Sequence, residues 1–262
     1  MTSTIATYQM ISNNIVRQLQ QTAKRPDVSR DTDYYLQHIG QVKTIDQFLG
    51  DYRLYSYAMK AFGLSDMTYA KAFMRKVLTE GVTSSTSFAN KLVDKRYRDF
   101  AAAFNFASLG DRATSTTAAT TGTVSKYVRQ TLEEDAGSQS EGVRLALYFE
   151  RKAPSITNVM QILSDKALLQ VAQTALDISP MTSMAAVDKQ ATMLAKQINV
   201  ADFKDPAKLR TFLQRFSAMW DMQNTDAASS SPALTIITGG QSSDMGLNAD
   251  ILTSLQNLKL GR

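Results

Sequence analysis

Residues 48–64 read FLGDYRLYSYAMKAFGL. Phe48 and Leu49 lead in, and the Asp51 side chain offers an oxygen to the free amides of a first helical turn. Gly63 suits the left-handed position just past a helix, with Leu64 folding back on the last turn. Between these signals Leu54, Tyr57, Ala58, Ala61 and Phe62 recur at three- and four-residue spacing, which is the mark of one buried helical stripe. Alanine at 58 and 61 lets another helix come close. The stretch therefore predicts a capped, amphipathic core helix.

A second copy of this pattern follows 114 positions on, at residues 162–178, ILSDKALLQVAQTALDI. Without gaps, residues 34–65 and 148–179 share eight of 32 positions: Tyr34/Tyr148, Gln47/Gln161, Leu49/Leu163, Asp51/Asp165, Leu54/Leu168, Ala58/Ala172, Ala61/Ala175 and Ser65/Ser179. Conservative pairs such as Tyr35/Phe149, Val42/Ile156 and Phe48/Ile162 add to them. Farther on the spacing shortens to 112, where Arg98/Arg210, Phe100/Phe212 and Phe104/Phe216 match. The shared set is the cap and the buried stripe, which are the positions that packing constrains. The expected fold is all-α and multihelical, with two similar halves from an internal duplication and a flexible C-terminal tail.

The remaining chain fits around the two halves. Residues 1–29 are expected to form an N-terminal amphipathic helix with a thin stripe at Ile5, Tyr8, Ile11, Ile15 and Leu19, ended by Lys24-Arg25-Pro26. The first repeat spans 30–106 and opens with a helix over 30–43, capped by Asp31 or Thr32. Residues 107–122 (ASLGDRATSTTAATTG) lose large apolar side chains after Leu109 and read as a Thr/Ala-rich linker or exposed loop. The second repeat spans 123–220, with Asp205-Pro206 opening its last helix. Residues 221–262 read as a tail whose Ser- and Gly-rich stretches are flexible by composition. Within it, residues 234–238 (LTIIT) are an isolated β-like run, and residues 248–260 regain helical spacing.

Composition narrows the chemistry. The 262 residues contain no cysteine and one histidine, His38. Thiolate nucleophiles, disulfides, multi-histidine metal sites and a Ser-His-Asp triad are thereby excluded within one chain. No phosphate-cradling Gly loop, HExxH or GxSxG occurs. His38 reads as a partly exposed helical residue. The run Glu133-Glu134-Asp135 points three ways around a helix and reads as a solvated face. The charge of +5 is spread over KR at 24–25, KRYR at 95–98 and RK at 151–152, again read as solvated faces, so nucleic acid is not the expected partner. No run approaches a membrane span, and the first twenty residues lack a signal-peptide pattern. No catalytic residue, metal ligand, cofactor or small-molecule substrate is expected. Terminal stripes are expected to dock protein partners, through Ile5, Ile11, Ile15 and Leu19 at one end and Ile251, Leu252, Leu255 and Leu258 at the other.

The strings TDYYLQHIGQVKTIDQFLGDYRLYSYAMKAFGL, SFANKLVDKRYRDFAAAFNF, EGVRLALYFERKAPSITNVMQILSDKALLQVAQTAL and DFKDPAKLRTFLQRF resemble an uncharacterised helical family of α-proteobacteria. That family carries only a domain-of-unknown-function label, and its members often sit among flagellar genes. The resemblance covers about residues 5–220. It implies a bacterial source, an all-α fold and a flagellar association, with flagellar components as partners. The expected role is a non-enzymatic structural or assembly protein of the flagellum, either exported or a cytoplasmic adaptor or chaperone, with an enzyme of unrecognised type as the remaining alternative.

Overall fold

The computed structural model describes residues 3–224, and among these every regular element is helical. The helices are α1 (Thr4–Asn13), α2 (Ile15–Ala23), α3 (Pro26–Ile39), α4 (Ile45–Gly50), α5 (Tyr52–Ala61), α6 (Lys71–Glu80), α7 (Phe88–Lys91) and α8 (Arg96–Ala103). They continue with α9 (Phe106–Leu109), α10 (Thr121–Gln139), α11 (Glu141–Lys152), α12 (Val159–Leu163), α13 (Lys166–Leu176), α14 (Val187–Gln197) and α15 (Pro206–Asn224). Short 3-10 turns join several of them. The expected β-like run at 234–238 and the expected helix at 248–260 lie outside the described residues.

Met1–Met222 form one compact unit with two apolar cores. The first gathers Tyr35, Phe48, Leu54, Tyr55, Met59, Phe100 and Phe104 from α3 to α8. The second gathers Val143, Leu147, Phe149, Ile162, Val171, Leu213 and Phe216 from α11 to α15. Helix α10 serves both: Tyr127 and Val128 face the first core, and Leu132 and Ala136 face the second. It packs on α2, α5 and α11. A ladder of tyrosines fixes α3 and α5 to α10, with Tyr35 stacked on Tyr57 at 4.4 Å and Tyr57 on Tyr127 at 3.7 Å.

Local geometry recurs between the two cores at the 114-residue spacing. Asp51 Oδ1 accepts from Leu54 N at 3.0 Å, and Asp165 Oδ1 from Leu168 N at 3.2 Å. Each such cap is worth about 1 kcal/mol. The other oxygen of each cap accepts a tyrosine hydroxyl from the preceding long helix, Tyr34 at 3.0 Å and Tyr148 at 2.6 Å. Gln47 Oε1 accepts from Lys43 N and Gln161 Oε1 from Thr157 N, both at 2.7 Å. Each core helix ends on a positive-φ residue, Gly63 at 69° and Asp177 at 55°. The next amide then reaches back to the carbonyl five residues earlier, Leu64 N to Met59 O and Ile178 N to Gln173 O, both at 2.8 Å.

Three expectations change. The helix expected over 30–43 is α3, which starts at Pro26, so Asp31 and Thr32 lie inside it rather than capping it. Proline is favourable at the first helical position because its missing N–H would be unpaired there. Residues 26–29 thus leave the N-terminal element. That element is itself two helices, broken at Asn14. Residues 107–122 are largely exposed, as expected, but are anchored to the first core at three points. Ala113, Thr114 and Ala119 are fully buried, Thr114 Oγ1 donates to Val42 O at 2.7 Å, and the Tyr35 hydroxyl donates to Ala119 O. Small side chains let this segment lie close against the first core.

Candidate functional site

The polar heart of the molecule lies between α10 and α11. Glu133 is buried, its side chain only 2 % exposed. Its Oε1 accepts from Arg129 Nε at 2.8 Å and Arg151 Nε at 2.7 Å, and its Oε2 accepts from Arg151 Nη2 at 2.7 Å. Arg129 Nη2 also donates to Leu147 O at 3.0 Å. The neighbouring acids reach other elements: Glu134 pairs with Lys60 of α5 at 3.0 Å, and Asp135 pairs with Arg25 ahead of α3. The run 133–135 therefore does not form a solvated face, as its sequence suggested. The directions around the helix were right, but the partners are four, eighteen or more residues away.

A second group of charges adjoins it. Arg96 is held by Asp94 and by Gly63 O, and Lys152 Nζ lies 4.0 Å from Asp99. Burial, together with Arg151, pushes the Lys152 amine down. Because each guanidinium here already holds a carboxylate, the arrangement is that of a structural seam. His38 stacks on Tyr34 at 4.0 Å, and its Nδ1 lies 2.7 Å from Tyr34 O. Among the described residues, no group of three or more His, Asp or Glu is placed to hold a metal ion, and no helix is long and apolar enough to cross a membrane.

The N-terminal docking candidates are built into the body. Ile11 is buried beside Tyr8 in the second core, and Ile15 and Leu19 are partly buried against it. Ile5 is half-buried. Their stripe faces α10 and α11 because α1 packs on α11 and α2 on α10. Asp221 of α15 holds the start of α1, accepting from Ser3 Oγ at 2.9 Å and Thr4 N at 3.1 Å. Ile251, Leu252, Leu255 and Leu258 lie outside the described residues.

The exposed apolar surface is elsewhere. Met181 (75 % exposed), Met184 (85 %) and Val187 (52 %) stand out from the turn Pro180–Met184 and the start of α14. Met160 and Met193 lie partly exposed on α12 and α14, which pack together. Beneath them Leu163, Leu169, Ile178, Met193 and Leu194 line a cleft enclosing about 10 Å³, room for about one water molecule. This cleft is too tight for a substrate, whereas an open groove of about 580 Å³ lined by Asn158, Val159, Lys196 and Asp202 lies at the ends of the same helices. Gln173 Nε2 donates to Ser183 Oγ at 2.9 Å, and Gln190 Nε2 to Ala185 O at 2.7 Å, fixing the turn that carries the methionines. Sequence reading missed this face. The signal available was three methionines within thirteen residues, at 181, 184 and 193.

These features describe an all-helical body whose buried charges pair with one another and whose exposed apolar side chains include a cluster at residues 181–193. The chain matches the family model described as Protein of unknown function (DUF1217) over residues 61–209, and it belongs to that family. It is also similar to a solved structure, protein AGR_C_984 from Agrobacterium tumefaciens, determined by X-ray crystallography. The two are 50% identical, with a TM-score of 0.79 over 86% of this chain and 97% of that one. No curated protein matches the chain. The Agrobacterium neighbour, from an α-proteobacterium, supports a bacterial source.

Proposed function

We propose that the chain is a non-enzymatic assembly protein that acts through helix-to-helix contacts with other proteins, in the flagellar setting that the family resemblance implies. The observation that carries this reading is the exposed surface of Met181, Met184 and Val187. Methionine is unbranched and polarisable, so such a surface repacks around varied partner side chains. An amphipathic partner helix laid on it would bury its i, i+3 and i+4 anchors. Fractionation tests the setting. The chain should be found in sheared filaments or purified basal bodies of wild-type cells and be lost from them when the export apparatus is deleted. A soluble cytosolic pool with neither structure labelled would point instead to an adaptor or chaperone. The double substitution Met181→Glu with Met184→Glu should weaken partner capture while leaving the melting temperature unchanged. Unchanged capture would remove the surface from the argument.

We infer as well that the two halves arose by internal duplication. Support comes from the paired caps, the paired tyrosine tethers and the paired positive-φ ends described above. Asp51→Ala and Asp165→Ala should each cost about 1–2 kcal/mol. A large cost at one site and none at the other would argue against equivalence.

A further inference from the structure

The stripe Ile5, Tyr8, Ile11, Ile15 and Leu19 keeps helical spacing through residue 14, yet the helix breaks there with neither proline nor glycine at the break. Asn14 adopts φ −121° and ψ 25°. Its N–H donates to Ile11 O at 3.1 Å, while its side-chain Nδ2 donates to Met10 O at 3.0 Å. The amide side chain thus stands in for the backbone donor that a continuous helix would bring to Met10 O. Beyond the break, α1 rests on a polar seam. Ser12 Oγ donates to Glu150 Oε1 at 2.6 Å, Thr4 Oγ1 lies 3.1 Å from Ser140 Oγ, and Asp221 holds Ser3 and Thr4. Water can replace each of these bonds when α1 lifts. Tyr8 and Ile11 are its buried apolar anchors.

We propose that residues 4–23 are a two-state strap. In the bent state seen here, α1 covers α11 of its own chain. In the straight state, α1 and α2 merge into one helix, α1 leaves α11, and α1 of a second copy of this chain takes the vacated place, so that two chains exchange straps. The occupant follows from the seam. Glu150, Ser140 and Asp221 form a row of partners matched to Ser12, Thr4 and Ser3, and another α1 satisfies all of them at once. A hinge of a single residue favours exchange, because the straightened strap cannot fold back onto its own α11.

The test uses the full chain. Asn14→Leu removes the competing amide and favours helix at the hinge, whereas Asn14→Gly disfavours a continuous helix. Light scattering coupled to size exclusion should give a dimer fraction roughly fivefold above wild type for Asn14→Leu and below it for Asn14→Gly. Since the chain has no cysteine, Ser12→Cys with Glu150→Cys allows a short bis-maleimide to report which chains are joined. Cross-links should run between chains in the dimer and within one chain in the monomer. If the Leu variant fails to fold, wild-type hydrogen exchange decides: the amides of residues 7–13 should exchange together through an opening easier than global unfolding. The proposal is overturned by equal masses for the two hinge variants at every concentration, by within-chain links in the dimer, or by α1 amides that exchange only with those of α11.

Discussion

Replacing Glu133 with alanine should strip the α10–α11 seam of its shared anion. Three charge-assisted hydrogen bonds of 2.7–2.8 Å disappear at once. Two guanidiniums then remain in a poorly hydrated place, Arg129 with its side chain 15 % exposed and Arg151 with 30 %. Breaking a buried pair from one side typically costs about 3–5 kcal/mol, mostly from the uncompensated charge left behind. Here the low end applies. Arg129 keeps Leu147 O and lies 3.9 Å from Glu150, and Arg151 keeps a 3.4 Å contact to Gln130. A loss of about 3 kcal/mol in a unit of this size lowers the melting temperature by roughly 6–12 °C.

The assay is thermal and urea unfolding followed by far-UV circular dichroism, with Glu133→Gln alongside. Glutamine keeps the shape and one acceptor oxygen but removes the charge, so its loss should fall between wild type and alanine. The triple change Arg129→Met, Glu133→Leu and Arg151→Leu should recover much of the deficit, because apolar groups of similar volume do not leave an orphaned charge. A Glu133→Ala loss below about 1 kcal/mol, the ordinary value for exposed pairs, would refute the claim that this triad is a buried, interdependent unit.

Two further outcomes follow from packing and ionisation. A Cβ on Gly142 would sit 2.6 Å from Trp220 Nε1 and 2.8 Å from its Cγ, so Gly142→Ala should displace the sole tryptophan, shift its fluorescence and cost about 1–3 kcal/mol. Burial pushes Tyr8, Tyr55 and Tyr127 up to about 12, and also raises Tyr35, Tyr57 and Tyr148. Unfolded tyrosine ionises near 10, so above that pH the unfolded chain binds fewer protons and stability falls by about 1.4 kcal/mol per phenol per pH unit; helicity should collapse cooperatively between pH 10 and 12 in step with tyrosinate absorbance, and intact helicity with fully ionised tyrosines would contradict it.

What the sequence made legible was local. The Asp51 and Asp165 caps and their stripes depend on residues within a few positions, and the structure places both as capped helices. What it hid depended on distance. Val28 is buried, but as the lone large apolar residue in the first turns of α3 it gave no periodicity to find, so the helix start was placed late. Ala113 and Ala119 resemble loop residues by composition and yet are part of the first core, where Thr114 Oγ1 donates to Val42 O and the Tyr35 hydroxyl donates to Ala119 O. The methionine face left only a compositional trace, three methionines within thirteen residues, for a different reason. Exposure reports what fails to cover a residue, and periodicity does not carry that information.

The acidic run brings these two kinds of signal together. Successive residues on a helix point about 100° apart, so Glu133, Glu134 and Asp135 are bound to face three directions, and that much was readable. The structure gives each direction an owner: Arg151 of α11, Lys60 of α5 and Arg25 at the entry to α3. One turn of α10 therefore ties together α11, α5 and the start of α3. With these charges committed to internal order, the docking surface proposed above falls where residues 114 positions apart differ in exposure. Met67 is half-buried against the first core, whereas Met181, at the matching position of the second half, stands 75 % exposed. That difference in exposure is the physical reason to test the proposed docking surface at residues 181–193.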